Sequence, residues 1–324
     1  MCFVDKLAGG IIVMASVFGI DVPSSKNNQW RKKVIPVTHV FEWANIADKV
    51  RRNLFMEFAE VGAKHLVLTC EMIMNCIQKN PYINIYRKDM ADAGLTFNDA
   101  HAPFGVWDDL DLPIEELRPL MLNRHKLSLQ ICDLLDVRTC TIHIGNGDLA
   151  FGELNKVDIL WECVRRSLEE LLPVAEKYNV VICIENIWSP VNTPERLLAL
   201  IDAFKSPYPG ICYDSGHANI STCKRDVENN AERQWAKFGL KPVWDDKILE
   251  KLQPHIVNCH LHDNHGVVDE HLMPGLGNID WKKTMTLLKS APRIQVIQNE
   301  VLSGTRQYSI RERVKCFDDL MERF

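Results

Sequence analysis

Between Val257 and Trp281 the chain reads VNCHLHDNHGVVDEHLMPGLGNIDW, with four histidines and three aspartates in twenty-five residues. Such a density of imidazole and carboxylate suits either a polar surface loop or one wall of a metal site, depending on whether matching ligands stand elsewhere. They do, at the ends of other apolar runs. Glu71 closes HLVLTCE, His101 follows LTFNDA, His143 ends VRTCTIH, and Glu185 ends VVICIE. Asp214 closes GICYD with His217 three residues on, His260 stands in HIVNCHLHD ahead of His262 and Asp263, and Glu300 closes RIQVIQNE. Apolar runs of this kind usually finish in turn formers, so seven such ends in a row are a pattern rather than background.

A mixed oxygen and nitrogen donor set without thiolate suits Mn, Zn, Co, Fe or Mg and argues against a structural zinc. Glu185, Asp214, His260 and Glu300 come from four consecutive runs. Together they can hold one divalent ion and leave positions open for substrate or water. Each also has a plainer reading alone: a rim histidine, an aspartate capping a turn, a glutamate paired with arginine. Their joint placement favours the metal. His125, His255, His265 and Asp109 lack that support, and His255 opens its run, which assigns it to the opposite rim.

The elements that must position these residues alternate strictly. Helical periodicity over 41–63, with Ala44, Ile46, Val50, Leu54 and Phe58 on one stripe, precedes a strand over 65–71. Further strands are expected at 95–104, 137–145, 180–186, 210–216, 255–263 and 293–301, separated and followed by helical patterns. Near-continuous apolar strands between helices imply a parallel sheet. Eight such units in 324 residues predict an α/β fold of the (β/α)8 TIM-barrel type, a single domain over 1–324, with the active site at the carboxyl ends of the strands. Either IIVMASV or VIPVTHV supplies the first strand, and 219–241 reads as a polar insertion after strand six. The apolar run LAGGIIVMASVFGI falls short of the ~20 residues that span a bilayer, and a buried strand suits it better than a signal peptide.

Hydrophobic content of 46% with 25% charged residues belongs to a globular protein with ample core, and a net charge of −5 offers no global basic field for nucleic acid. The eleven cysteines contain no CxxC pair. They read as reduced thiols, several in apolar runs, which points to the cytoplasm.

The segments HAPF (101–104), TIHIG (141–145), IENIW (184–188), YDSGHAN (213–219), CHLHDN (259–264), DEHLMPGLGNIDW (269–281) and NEV (299–301) resemble the xylose isomerase-like TIM-barrel superfamily over roughly residues 40 to 310. The superfamily includes sugar isomerases and epimerases and endonuclease IV-type apurinic endonucleases. The resemblance to its epimerase branch implies one divalent metal (Mn, Zn, Co or Mg) on Glu185, Asp214, His260 and Glu300. It also implies that Glu185 and Glu300 exchange a substrate proton through a metal-stabilised enediolate, with His217 on a substrate hydroxyl. The expected activity is isomerase, epimerase or dehydratase chemistry on a small sugar, sugar acid or cyclitol. Glu71, Trp107 and Trp188 are candidates for the pocket wall. The endonuclease branch instead implies up to three zincs on nine ligands, and His101, His143, Glu185, Asp214, His217, His260, Asp269, His271 and Glu300 match all nine. Against that alternative, the rim segments FGVWDDLDLP, GNGDLAFGE and DNHGVVDE are acidic or neutral, where phosphate contacts call for Arg and Lys. Neither a membrane nor nucleic acid is expected as a partner, and association between copies through helices or strand-end loops is left open.

Overall fold

A computed structural model describes residues 34–79, 81–302 and 308–324. Eight parallel strands close into a barrel in sequence order: β1 (Val37–His39), β2 (His65–Leu68), β3 (Thr96–His101), β4 (Thr139–Ile142), β5 (Val181–Glu185), β6 (Pro209–Asp214), β7 (Ile256–Leu261) and β8 (Val296–Asn299). Closure comes from β1 against β8, with Thr38 opposite Gln298 and His39 opposite Asn299. Ile35–Phe324 is one (β/α)8 TIM-barrel domain. VIPVTHV therefore carries β1, whereas IIVMASV lies outside the described residues. Among the described residues, no helix is long and apolar enough to cross a membrane.

The parallel arrangement needs both faces of the sheet covered. Outside, strand residues such as Leu66, Ile142, Ile182 and Leu261 join the helices in the main apolar core. Inside, side chains two apart share a face. Val181 and Cys183 on β5 meet Cys212 and Val257 in a small separate apolar cluster, and one step further along the same face stands Glu185. Gly210 makes room for this packing, since a Cβ there would sit 2.4 Å from a Val257 methyl. The buried thiols thus fill space, as the sequence indicates.

Three elements differ from the sequence reading. The strand expected over 65–71 stops at Leu68, and Glu71 lies in the first turn of a helix, Cys70–Gln78. That helix buries Met72, Ile73 and Cys76 at helical spacing, and this packing overrides the β-prone start. The helix expected over 41–63 spans Asp48–Glu60, and its inward stripe is shifted in part: Phe58 is buried and Ile46 and Leu54 pack against the core as expected, but Arg51 and Phe55 join them while Val50 is exposed. Arg51 tolerates burial because it bonds Asp89 at 2.7 Å and Asp48 at 2.6 Å. After β6 the chain turns at once into a helix, Ser215–Thr222, so the insertion begins later than 219. It carries a short helix, Asn230–Ala236, closed by an Asn229–Glu232 capping box.

His39 ties the barrel seam to the β8 end. Its Nδ1 accepts from Asn299 Nδ2 at 3.0 Å, and the ring packs beside Phe58 and Phe317. Burial first, and the Arg313 guanidinium second, push its pKa down to about 3. A histidine kept neutral in the fold costs stability as pH drops below about 6.5, where the unfolded chain takes up the proton that the folded chain refuses. Urea unfolding measured between pH 6 and 5 should therefore show His39→Gln losing stability less steeply than the parent, by up to about 1.4 kcal/mol per pH unit. Parallel profiles would remove His39 from that account.

Candidate metal centre

The carboxyl ends of the strands deliver the ligands. Glu185 and Asp214 are the last residues of β5 and β6, and His101 is the last of β3. His143 and Glu300 come one residue after β4 and β8, and His260 is the penultimate residue of β7. One ligand atom each from Glu185, Asp214, His260 and Glu300 lies within 4.8 Å of the others, and His101, Glu185 and His260 form a second such group. His260 Nδ1 is the meeting point, 3.1 Å from Glu185 Oε1 and 3.2 Å from Glu300 Oε2.

The ring orientations have identifiable causes. His260 Nε2 sits 3.2 Å from Thr141 Oγ1, which also accepts from Asn258 Nδ2 at 2.9 Å. Asn258 Nδ2 reaches Asp99 Oδ2 at 2.9 Å, and Thr139 donates to Asp99 Oδ1 at 2.6 Å. This floor lies inside the barrel, and burial there pushes the Asp99 carboxyl up to about 6. Nδ1 of His101 faces Ala102 O at 2.9 Å, that of His217 faces Asn186 O at 3.0 Å, and that of His271 faces Glu300 O at 2.9 Å. Each ring is thus anchored through one nitrogen and presents the other to the mouth, the arrangement that fixes metal-binding imidazoles.

The DSGH turn shows the same economy of space. Asp214 Oδ1 accepts from His217 N at 2.7 Å and so caps the helix that begins at Ser215. Its Oδ2 lies 3.2 Å from His262 Nε2. Gly216 is small of necessity, since a Cβ there would fall 2.0 Å from the His262 ring. His262 stacks on His271 with centroids 4.0 Å apart, and Asp269 Oδ2 lies 2.9 Å from His271 Nε2 and 3.4 Å from His217 Nε2. Asp263 holds the following loop. It accepts from Trp281 Nε1 at 2.8 Å, Gly275 N at 2.8 Å and Asn264 N at 2.9 Å.

The donor set suits a divalent cation. Asp269 Oδ1 is buried without a hydrogen-bond partner among the described residues, and Glu185 Oε2 faces His143 Nε2 at 2.9 Å. Burial opposes charge on Glu185, but His260 and His143 outweigh it and hold the carboxyl well below its usual range. The same opposition holds at His217, where Asp214 and Asp269 overcome burial and raise the imidazole well above its ordinary value. His101 runs the other way, lowered to about 4 by burial and then by His143.

The mouth encloses about 250 Å³, and its lining includes Phe41, Glu71, Phe104 and Leu302 together with Glu185 and Glu300 of the ligand cluster. Glu71 thus reaches the pocket from a helix rather than a strand end. Trp107 does not line it. That residue is 52% exposed and packs edge-on toward Phe151, while Phe104 takes the pocket position against His101 and His143. Trp188 stands behind the mouth, edge-on to His217 at 4.6 Å. Sequence reasoning passed over His262, although its position two after His260 already places it on the same strand face. It also set aside Asp109, which is buried, pushed up to about 6 by that burial, and 3.9 Å from His143 Nδ1. His255 lies in the turn that precedes β7, at the opposite end.

The sequence profile described as the xylose isomerase-like TIM barrel matches residues 71–315. The chain belongs to the xylose isomerase-like TIM-barrel family. An uncharacterised protein of Methanocaldococcus jannaschii, MJ1311, is 29% identical over 229 residues, 68% of either chain. Another, y4fM of Sinorhizobium fredii, is 24% identical over 242 residues, 68% of this chain and 71% of its own. Among solved structures, a D-tagatose 3-epimerase-like protein superposes with a TM-score of 0.66 at 22% identity, covering 89% of this chain and 96% of that one. The 3-keto-D-glucoside 4-epimerase YcjR of E. coli gives 0.64 at 16%, over 89% and 100%. An AP endonuclease, family 2, of Brucella melitensis gives 0.57 at 12%, over 83% and 93%. At such identities these likenesses carry the xylose isomerase-like fold and not an activity.

Thr141→Val deletes the hydroxyl shared by His260 and Asn258 and leaves buried donors unpaired. It should lower the unfolding free energy by about 1–3 kcal/mol in urea denaturation. An unchanged midpoint would mean the floor does not hold His260.

Proposed function

We propose that the protein is a divalent-metal-dependent isomerase or epimerase, or a dehydratase of related chemistry, acting on a small sugar, sugar acid or cyclitol. The observation that carries this reading is the convergence of Glu185, Asp214, His260 and Glu300 ligand atoms within 4.8 Å at the mouth of the barrel. These four would hold the ion, which when bound supplies polarisation of a substrate carbonyl and its neighbouring hydroxyl. Glu185 and Glu300 approach the same His260 nitrogen from β5 and β8. In this reading one carboxylate takes a proton from the substrate carbon and the other returns one. His101, His143 and His217 orient hydroxyls, while Phe41 and Phe104 exclude water from one side of the pocket. The cysteines of the described residues are all free, in keeping with the reducing cytoplasm proposed as its location.

A second reading is favoured by one observation: Asp269, His271 and His217 gather beside the first group, within 3.4 Å along their chain of contacts. With His101 and His143 they complete the ligand set of a three-metal phosphodiester hydrolase. Elemental analysis separates the two, with about one ion per chain for the isomerase and about three for the hydrolase. Salt-sensitive binding to abasic duplex would likewise favour the hydrolase.

The decisive assay is deuterium incorporation from solvent into a panel of ketoses and inososes, followed by NMR. Exchange should disappear on chelation, return with Mn or Co, and fall by about 10²–10⁴ in Glu185→Gln and Glu300→Gln. Full exchange in both variants, with intact metal content, would sink the proposal.

A further inference from the structure

A second cavity, of about 230 Å³, lies beside the mouth and shares none of its lining residues. It is nearly as large as the mouth itself, so a molecule of one-ring size fits. Three indoles surround it: Trp188, Trp235 and Trp244. Trp235 is buried in a small apolar cluster with Ile220 and Ala231, and the other two pack partly buried against that cluster. Val243, 70% exposed, marks the open rim.

Three indole surfaces provide flat apolar area with little rotamer entropy to lose. The polar part of the lining is more selective. Asn192 is 2% exposed, and its side-chain nitrogen donates to Gly145 O, which settles which end of the amide is oxygen. That oxygen, Asn192 Oδ1, has no hydrogen-bond partner among the described residues. A buried acceptor left unpaired is costly, and Asn192 is one of the residues that line the cavity. Lys251, the charged amine of the lining, is already held by Glu195 at 2.7 Å and Asp245 at 2.6 Å. The charged lining therefore carries one more acid than base, which disfavours an anion. A quaternary ammonium would suit the indoles but has no proton for Asn192 Oδ1.

We propose that this cavity binds a neutral polyhydroxylated ring, its C–H face against the indoles and one hydroxyl donated to Asn192 Oδ1. The site has its own lining and meets the ligand cluster where Trp188 packs on His217 and where Asn186 bonds His217 and Asp214, and it requires no metal.

The test titrates metal-stripped, full-length protein with methyl β-D-glucopyranoside and with myo-inositol, reading tryptophan fluorescence and confirming by calorimetry. Saturable binding of at least one ring is expected, unchanged in Glu300→Gln and weakened at least tenfold in Trp244→Ala. Val243→Trp, at an exposed rim position, should close the entrance with the fold intact, and it decides the matter if Trp244→Ala does not fold. Absence of saturable binding, a response to tetramethylammonium alone, or equal affinity in Val243→Trp would overturn the proposal. Because the probe needs neither the ion nor Glu300, its failure is distinct from failure of the exchange assay at the mouth.

Discussion

Four carboxylates gathered in low-dielectric surroundings must be compensated, and here the compensation comes from rings rather than from fixed cations. Among the described residues, the ion pairs of Glu185, Asp214, Asp269 and Glu300 are all with histidines. Burying ionised groups costs several kcal/mol each unless they are paired and hydrogen-bonded. A guanidinium would satisfy that demand permanently and occupy the centre. Imidazole can carry a proton or give it up, so the same side chains suit an empty centre and a loaded one. The rest of the mouth follows from keeping those rings aimed.

That aim is set from below and from the side. The lumen floor of Asp99, Thr139, Thr141 and Asn258 is polar where a barrel of this kind is ordinarily filled by aliphatic layers, and its hydrogen bonds end on His260. The aliphatic-like layer survives only in part, as Val181, Cys183, Cys212 and Val257. Backbone carbonyls do the equivalent work for His101, His217 and His271. His271 even adopts a left-handed backbone, φ 49°, a conformation uncommon for a non-glycine residue. Strain of this sort is found where a side chain must point one way.

Much of this was legible before any coordinates. Near-continuous apolar runs separated by helical patterns specify the barrel, and the barrel specifies which residues share a rim, so Glu185, Asp214, His260 and Glu300 could be grouped from their places at the ends of consecutive runs. What escaped did so for physical reasons. Glu71 sits on a helix because Met72, Ile73 and Cys76 pack at a spacing that short β-prone windows conceal. Arg51 faces inward because Asp89, thirty-eight residues away, neutralises it, and no local pattern announces a distant partner. Asp109 enters through a loop whose path depends on tertiary packing. Phe104 rather than Trp107 reaches the pocket, a choice made by loop geometry.

The Asp263 carboxylate bears on how such sequences should be read. By clasping an indole and the glycine amide of a Pro-Gly turn, it makes the segment ending in Ile-Asp-Trp a clamp on shape, indifferent to whatever reaction proceeds nearby. Gly277 belongs to the same clamp, since a Cβ there would strike that carboxylate at 2.3 Å. A motif of this type marks kinship of scaffold. Two enzymes with unrelated substrates can keep it for the same mechanical reason.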